Sequence, residues 1–267
     1  MSAADAKRFC SELKAAKAPL MTIEAEWGVR SKCLQRIESL VRERGGVGCL
    51  ASWPSWPAEL AGLQRPLAAQ LADLRSSILR EACRTLLVVA AASPRDFEEA
   101  GALAFYAPLL WKGLYVTIKI MSQTSDDTLR ELTSLAATTR SIPTFLTCLT
   151  DTHGVVREKC AAYITGIVAA LPASTAAHGA EALAGLEAHL PSLLSAARAQ
   201  MQATEGPVRA SWRALWRELR MRFPGPHAAF DAAAAELPAP VLKALEQDRK
   251  AAASSTTSNM AGNKRKK

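Results

Sequence analysis

Histidine is scarce in this chain, and the four present (His153, His178, His189 and His227) are scattered over predicted turns and polar helix faces. No two of the six cysteines form a CxxC pair, no glycine-rich phosphate loop or metal-ligand spacing occurs, and no paired carboxylate recurs at a turn. Acid–base, metal-assisted and phosphoryl-transfer chemistry all need such groupings. The reading is therefore of a non-enzyme with no cofactor, metal or small-molecule substrate. Long apolar runs are missing too. The longest, Leu86 to Ala92, is far short of the roughly 20 residues that span a bilayer, and Met1 to Lys7 lacks the apolar region of a secretory signal. No membrane partner is expected, and the chain reads as intracellular.

What is present is apolar content with helical spacing. At 267 residues and 49% hydrophobic, the chain is long enough to bury a sizeable core. The formal charge is +8; Lys264, Arg265, Lys266 and Lys267 supply four of these charges with no acid after Asp248, leaving +4 for the rest. A moderately basic body suits an acidic protein or a nucleic acid by electrostatic steering, and charge alone does not choose between them.

Four stretches share one pattern: VRSKC from Val29, LREAC from Leu79, VREKC from Val156 and VRASW from Val208. Each sets an apolar residue before an arginine and a cysteine or tryptophan four positions after that apolar one. Helical spacing continues downstream: Val29, Cys33, Ile37 and Leu40; Leu79, Cys83, Leu86 and Ala90; Val156, Cys160, Tyr163 and Ile167; Val208, Trp212, Leu215 and Leu219. Four helices are thus predicted to bury the same face, and Cys33, Cys83 and Cys160 are read as small apolar residues rather than metal ligands or disulfide partners. A fifth, degenerate unit is expected in the long gap between Leu79 and Val156, with Ser125 or Asp126 as its N-cap and Leu129, Leu132 and Leu135 or Ala136 as its stripe. Helix pairs recurring at about 40 to 50 residues mark an all-α solenoid of HEAT or armadillo type. Five to six pairs are expected in one array over 1–250, followed by a disordered basic tail over 251–267.

The remaining boundaries follow from breakers and caps. Predicted helices run Ala3–Lys17, Gly28–Arg44 (stopped by Gly45 and Gly46), Leu60–Ala72, Asp73–Ala92 and Phe97–Ile120 with a break near Pro108. Ile142–Thr150, Val155–Leu171, His178–Gln202, Val208–Phe223 and short caps within His227–Asp248 follow. Trp53, Trp56, Trp111, Trp212 and Trp216 read as core or linker packing.

In such an array the turns within successive pairs line one long edge, the natural binding surface. Arg30, Arg157 and Arg209 fall in the first turn or so of their helices, where a cation opposes the macrodipole at a cost of about 0.3–1 kcal/mol. Either they form a ladder with carboxylates of adjacent repeats, or they serve a partner. Trp27 stands at the same edge, and it is either an interface anchor or a ring folded down to cap the first repeat.

These residues also carry a resemblance. LADLRSSILREACRTL resembles the corresponding repeat of the TOG domains in the CLASP family of microtubule-associated proteins. EWGVRSKCLQRIESL is similar to that family's opening repeat, IKIMSQTS to its next turn, VREKCAAYI to its fourth, and VRASWRALWRELRMRFPG to its fifth. The resemblance covers about Glu24 to Leu245, and departs at the Gly/Trp/Pro linker after the first repeat, at Asp126 and Asp127, and in an alanine-rich C-terminal cap. It implies docking of the turns on αβ-tubulin or the microtubule lattice, to regulate microtubule dynamics or stability in the cytoplasm and cytoskeleton. It places Trp27 and Arg30 in the first turn, Arg75 and Ser76 in the second, and Lys119 and Ser122 in the third. Arg157 and Lys159 fall in the fourth, and Arg209 and Arg213 in the fifth. Arg80 and Glu81 lie deeper and read as structural. The alternatives are a scaffold that holds another protein or peptide and, with less support, nucleic-acid binding, for which the only dense basic cluster is the terminal KRKK.

Overall fold

The computed structural model describes residues 3–45, 48–136, 138–172, 179–225 and 227–263, and among them the backbone is helical with no strand. Helices alternate between two layers. The first layer holds α1 (Ala3–Lys17), α3 (Trp56–Leu71), α5 (Pro94–Pro108), the short α7 (Ile142–Leu146), α9 (Gly179–Gln200) and α11 (Ala228–Ala235). The second holds α2 (Trp27–Arg42), α4 (Ser76–Ala92), α6 (Lys119–Ala136), α8 (Gly154–Ala170), α10 (Gly206–Arg222) and α12 (Ala239–Asn263). Within the second layer each helix from α2 to α10 packs on the next in order, and α12 follows on α10. In the first layer, α3 lies on α5 and α9 on α11. One core runs between the layers from Phe9 to Leu237, as expected of stacked pairs that cannot bury their stripes alone.

Three of the four predicted stripes lie inward: Leu79, Cys83, Leu86 and Ala90 of α4; Val156, Cys160, Tyr163 and Ile167 of α8; Val208, Trp212, Leu215 and Leu219 of α10. Burial pushes the Cys83 thiol up to about 11, so it stays protonated and acts as packing. The fourth stripe is corrected in part: Ile37 and Leu40 lie inward as expected, but Val29 is exposed and Cys33 only half-buried. In α2 the inward residues are Arg30, Leu34, Ile37, Leu40 and Val41, whereas Val29 is 42% exposed. Leu34, Ile37 and Val41 follow Arg30 at helical spacing and bury more apolar area than a phase set by Val29 and Cys33, so α2 is turned by one residue.

The third pair also differs from expectation. The predicted helix over Phe97–Ile120 ends early: α5 runs through Pro108 into a single π-helical turn, Leu109–Gly113, closed by the Leu114 N–H donating to the Leu109 carbonyl at 3.0 Å. The next helix starts at Lys119, so Ser125 and Asp126 lie inside α6 rather than at its N-cap. Ser125 packs where a Cβ on Gly113 would lie 2.2 Å from its Oγ, a contact only glycine permits.

The stretch between α2 and α3 packs on the first repeat. Gly45, with φ 119°, follows the end of α2. The N–H groups of Gly48 and Leu50 then donate to the Ala91 and Ala92 carbonyls at 2.8 and 3.0 Å, satisfying the end of α4. Trp53 meets Phe9 edge-on at 5.3 Å, and Trp56 is fully buried. Trp212 and Trp216 are core residues as predicted, while Trp111 is partly exposed and donates its indole N–H to Cys148 Sγ at 3.1 Å. The α12 backbone continues through Asn263 where disorder was expected from Ala251, and Lys264–Lys267, like the predicted helix breaker Gly46 and the predicted α9 start at His178, lie outside the described residues.

Candidate functional site: the turn edge

The connections that lead from each first-layer helix into its partner gather at one end of the second-layer helices: 18–26, 72–75, 114–118, 151–153 and 201–205. Thirteen large apolar side chains are exposed among the described residues, and nine of them lie in these turns or in the first helical turn after them: Met21, Ile23, Trp27, Val29, Leu74, Tyr115, Ile118, Ile120 and Val155. Scattered exposed apolar residues are ordinary, but concentration on one edge marks an interaction surface. Sequence patterns had singled out only Trp27 among these as a contact residue. The signal that finds the others is an apolar residue inside a polar turn, such as Leu74 between Asp73 and Arg75.

Trp27 opens α2 and is 56% exposed, so it does not fold down as a cap. It borders a groove of about 370 Å³ between α2 and α4, lined also by Ser31, Ser77, Ile78, Arg80, Glu81 and Arg84. Arg80, read from sequence as structural, faces solvent in this groove, whereas Glu81 pairs with Arg84 at 3.3 Å.

Arg30, Arg157 and Arg209 each stand fourth in their helix, yet they have three different environments. Arg30 is fully buried. Its guanidinium donates to the Ala25 carbonyl at 3.0 Å, to Gln70 Oε1 at 2.6 Å and to Asp73 Oδ2 at 2.6 Å, while the Gln70 amide donates to the Leu20 carbonyl at 2.9 Å. The expectation of Arg30 as a partner contact is corrected accordingly: it is the internal clamp between the first two turns, enclosed because α2 is turned inward at that position. Arg157 is half-buried and reaches Glu205 of the fifth turn at 2.5 Å. Gly154 leaves room for that carboxylate, since a Cβ there would lie 3.0 Å from Glu205 Oε1. The backbone N–H of Glu205, the Thr204 hydroxyl and Arg157 together hold this carboxyl below the usual range. Arg209 donates to the Ala203 and Thr204 carbonyls at 2.7 and 2.6 Å, closing its own turn.

The other predicted contacts divide similarly. Lys159 pairs with Asp126 of α6 at 2.7 Å, and the Tyr163 hydroxyl donates to the other Asp126 oxygen at 2.7 Å. Burial opposes ionisation of Asp126, but Lys159, Tyr163 and Arg130 outweigh it and hold the carboxyl below its ordinary value. Arg213 points away from the turns to Asp248 of α12 at 2.9 Å. Arg75 is exposed and comes only within 3.6 Å of Asp73. Ser76 opens α4 and Lys119 opens α6, and the Ser122 hydroxyl donates to the Lys119 carbonyl at 3.0 Å. Among the described residues no group of three or more His, Cys, Asp or Glu could hold a metal, and no helix is long and apolar enough to cross a membrane.

Two stacked helical layers with one edge of partly apolar turns define an α-solenoid of HEAT type, a class that presents surfaces to partners. The chain belongs to the CLASP N-terminal family, whose family model, described as "CLASP N terminal", matches residues 11–226. A CLIP-associated protein of Arabidopsis thaliana is 26% identical over 141 residues, which is 52% of this chain and 9% of that protein. An uncharacterized protein of Dictyostelium discoideum is 27% identical over 142 residues, 53% of this chain and 16% of that one. The chain thus spans less than a fifth of either relative's length. Its fold is similar to a chain in a structure described as "Structural Basis of Tubulin Recruitment and Assembly by Microtubule Polymerases with Tumor Overexpressed Gene (TOG) Domain Arrays", with a TM-score of 0.59, 14% identity, and coverage of 86% of this chain and 45% of that one.

Proposed function

We propose that this chain binds αβ-tubulin, free or in the microtubule lattice, through its turn edge, and so regulates microtubule dynamics or stability at the cytoskeleton. The observation that carries this reading is the gathering of exposed apolar side chains, Trp27 foremost, on the same edge as the cations of successive turns. Family membership and the fold's likeness to a tubulin-recruiting array support it. Tubulin is acidic, and a basic edge with an apolar anchor complements it in charge as well as in burial. Trp27 is the anchor in this reading. Arg75, Ser76, Lys119 and Ser122 continue the surface across the second and third turns, and Arg157, Lys159, Arg209 and Arg213 stand at or behind the fourth and fifth.

The test is titration of the protein with purified αβ-tubulin and, separately, with taxane-stabilised microtubules. The expected result is binding to at least one of them, reduced about thirtyfold, or about 2 kcal/mol, by Trp27→Ala with no change in melting temperature. Absence of binding to both overturns the reading in favour of a scaffold for another protein.

A further inference from the structure

The rim changes character between its third and fourth turns. Turns one to three display Ile23, Trp27, Leu74, Ile118 and Ile120, from 49% to 79% exposed, with Leu74 the most exposed. Two cations stand among them without a close partner. Arg75 approaches Asp73 only at 3.6 Å, and Lys119 makes no ion pair among the described residues. In turns four and five the cations are engaged: Arg157 with Glu205, Lys159 with Asp126, and Arg209 with two carbonyls of its own turn. Val155, 37% exposed, is the one large apolar side chain displayed there among the described residues. At the boundary Tyr115 lies flat against His153, ring centres 3.9 Å apart and planes within 6°, and His153 is tied to Asp151 at 2.9 Å.

Resting on the tubulin reading, we propose that the first three turns alone grip an acidic face of tubulin, with Leu74 and Ile118 as apolar anchors beside Trp27. Turns four and five form an ion-paired spine that stays outside the interface. A cation already paired must give up its partner before it can meet another carboxylate, so its net gain on binding is small. Lys119 has no such loss, and Arg75 would give up only a long, solvent-exposed contact with Asp73, whose carboxylate keeps Arg30. The second turn is also held ready: Asp73 accepts the Arg75 N–H at 2.7 Å through one oxygen and Arg30 at 2.6 Å through the other, which fixes the loop that displays Leu74. With adjacent helices about 8–10 Å apart, the openings of α2, α4 and α6 lie within about 20 Å of one another, a continuous patch for one partner surface.

Two sets of exposed positions test this by tubulin titration. Leu74→Ser with Ile118→Ser, and separately Arg75→Glu with Lys119→Glu, are expected to weaken the affinity at least about tenfold at wild-type melting temperature. Val155→Glu with Ala210→Glu places two carboxylates on the exposed rim of the fourth and fifth turns, and is expected to change it by less than about threefold. If the unaltered protein binds and the Val155/Ala210 variant is weakened as much as the others, the division of the edge is overturned while the tubulin reading stands. Full binding by the Leu74/Ile118 variant likewise overturns it. If the unaltered protein binds neither tubulin nor microtubules, the functional reading falls and this inference falls with it.

Discussion

The first-to-second-turn junction and the fourth-to-fifth-turn junction use the same helix position for opposite ends. At the first, Arg30 is drawn inside, where its Nε and one terminal nitrogen donate to a carbonyl, Gln70 and Asp73, leaving Trp27 and Leu74 on the rim. At the other, Arg157 is only half-buried and is paired with the more exposed Glu205, so the rim there is polar and neutralised. The cause is a rotation of one residue in α2. The Val-Arg pair that is valine-in at Val156 and Val208 is arginine-in at Arg30. A repeat array can therefore keep its stacking while moving an ion pair into the core, and that shift decides which turn keeps its apolar side chains exposed.

The largest test of this contrast is Arg30→Ala. It leaves Asp73 buried without its cation, and is expected to cost about 3–5 kcal/mol in denaturant unfolding. A loss under about 1 kcal/mol would mean that the first junction is no more internal than the second. Next is Asp126→Asn in the ion-paired half. The carboxylate accepts hydrogen bonds from Lys159 and Tyr163 and pairs with Arg130 at 3.2 Å, so its neutralisation is expected to cost about 1–2 kcal/mol. Tubulin affinity should be unmoved, and a parallel loss of binding would join the two halves again. The smallest effect is in pH. The Asp126 carboxyl in the folded chain lies below the ordinary aspartate value, near about 3.9 in the unfolded one. Its stabilisation is thus complete above that value and fades as pH falls through the folded one. The Asn variant should lose stability less steeply than the parent below about pH 4, and identical acid slopes would assign the acid sensitivity to other carboxylates.

Much of the array was legible because burial repeats every three or four residues and one stripe suffices to phase one helix. That is how α4, α8 and α10 were read correctly. The α2 phase was also present in Leu34, Ile37 and Val41, but aligning Cys33 with Cys83 and Cys160 gave a small thiol more weight than a leucine. The start of α6 was hidden by a different cause: the π-helical turn at Leu109–Gly113 and the Gly113–Ser125 approach are packing solutions with no local periodicity. By itself the sequence determined the helical class, the repeat order and most of the core. Only the tertiary structure decided which edge cations are free. Arg30 meets Asp73 across 43 residues, Lys159 meets Asp126 across 33, and Arg157 meets Glu205 across 48. Such pairings depend on how each repeat is rotated on the next, because an ion pair forms only when stacking brings charges within a few ångströms, and no local pattern carries that rotation.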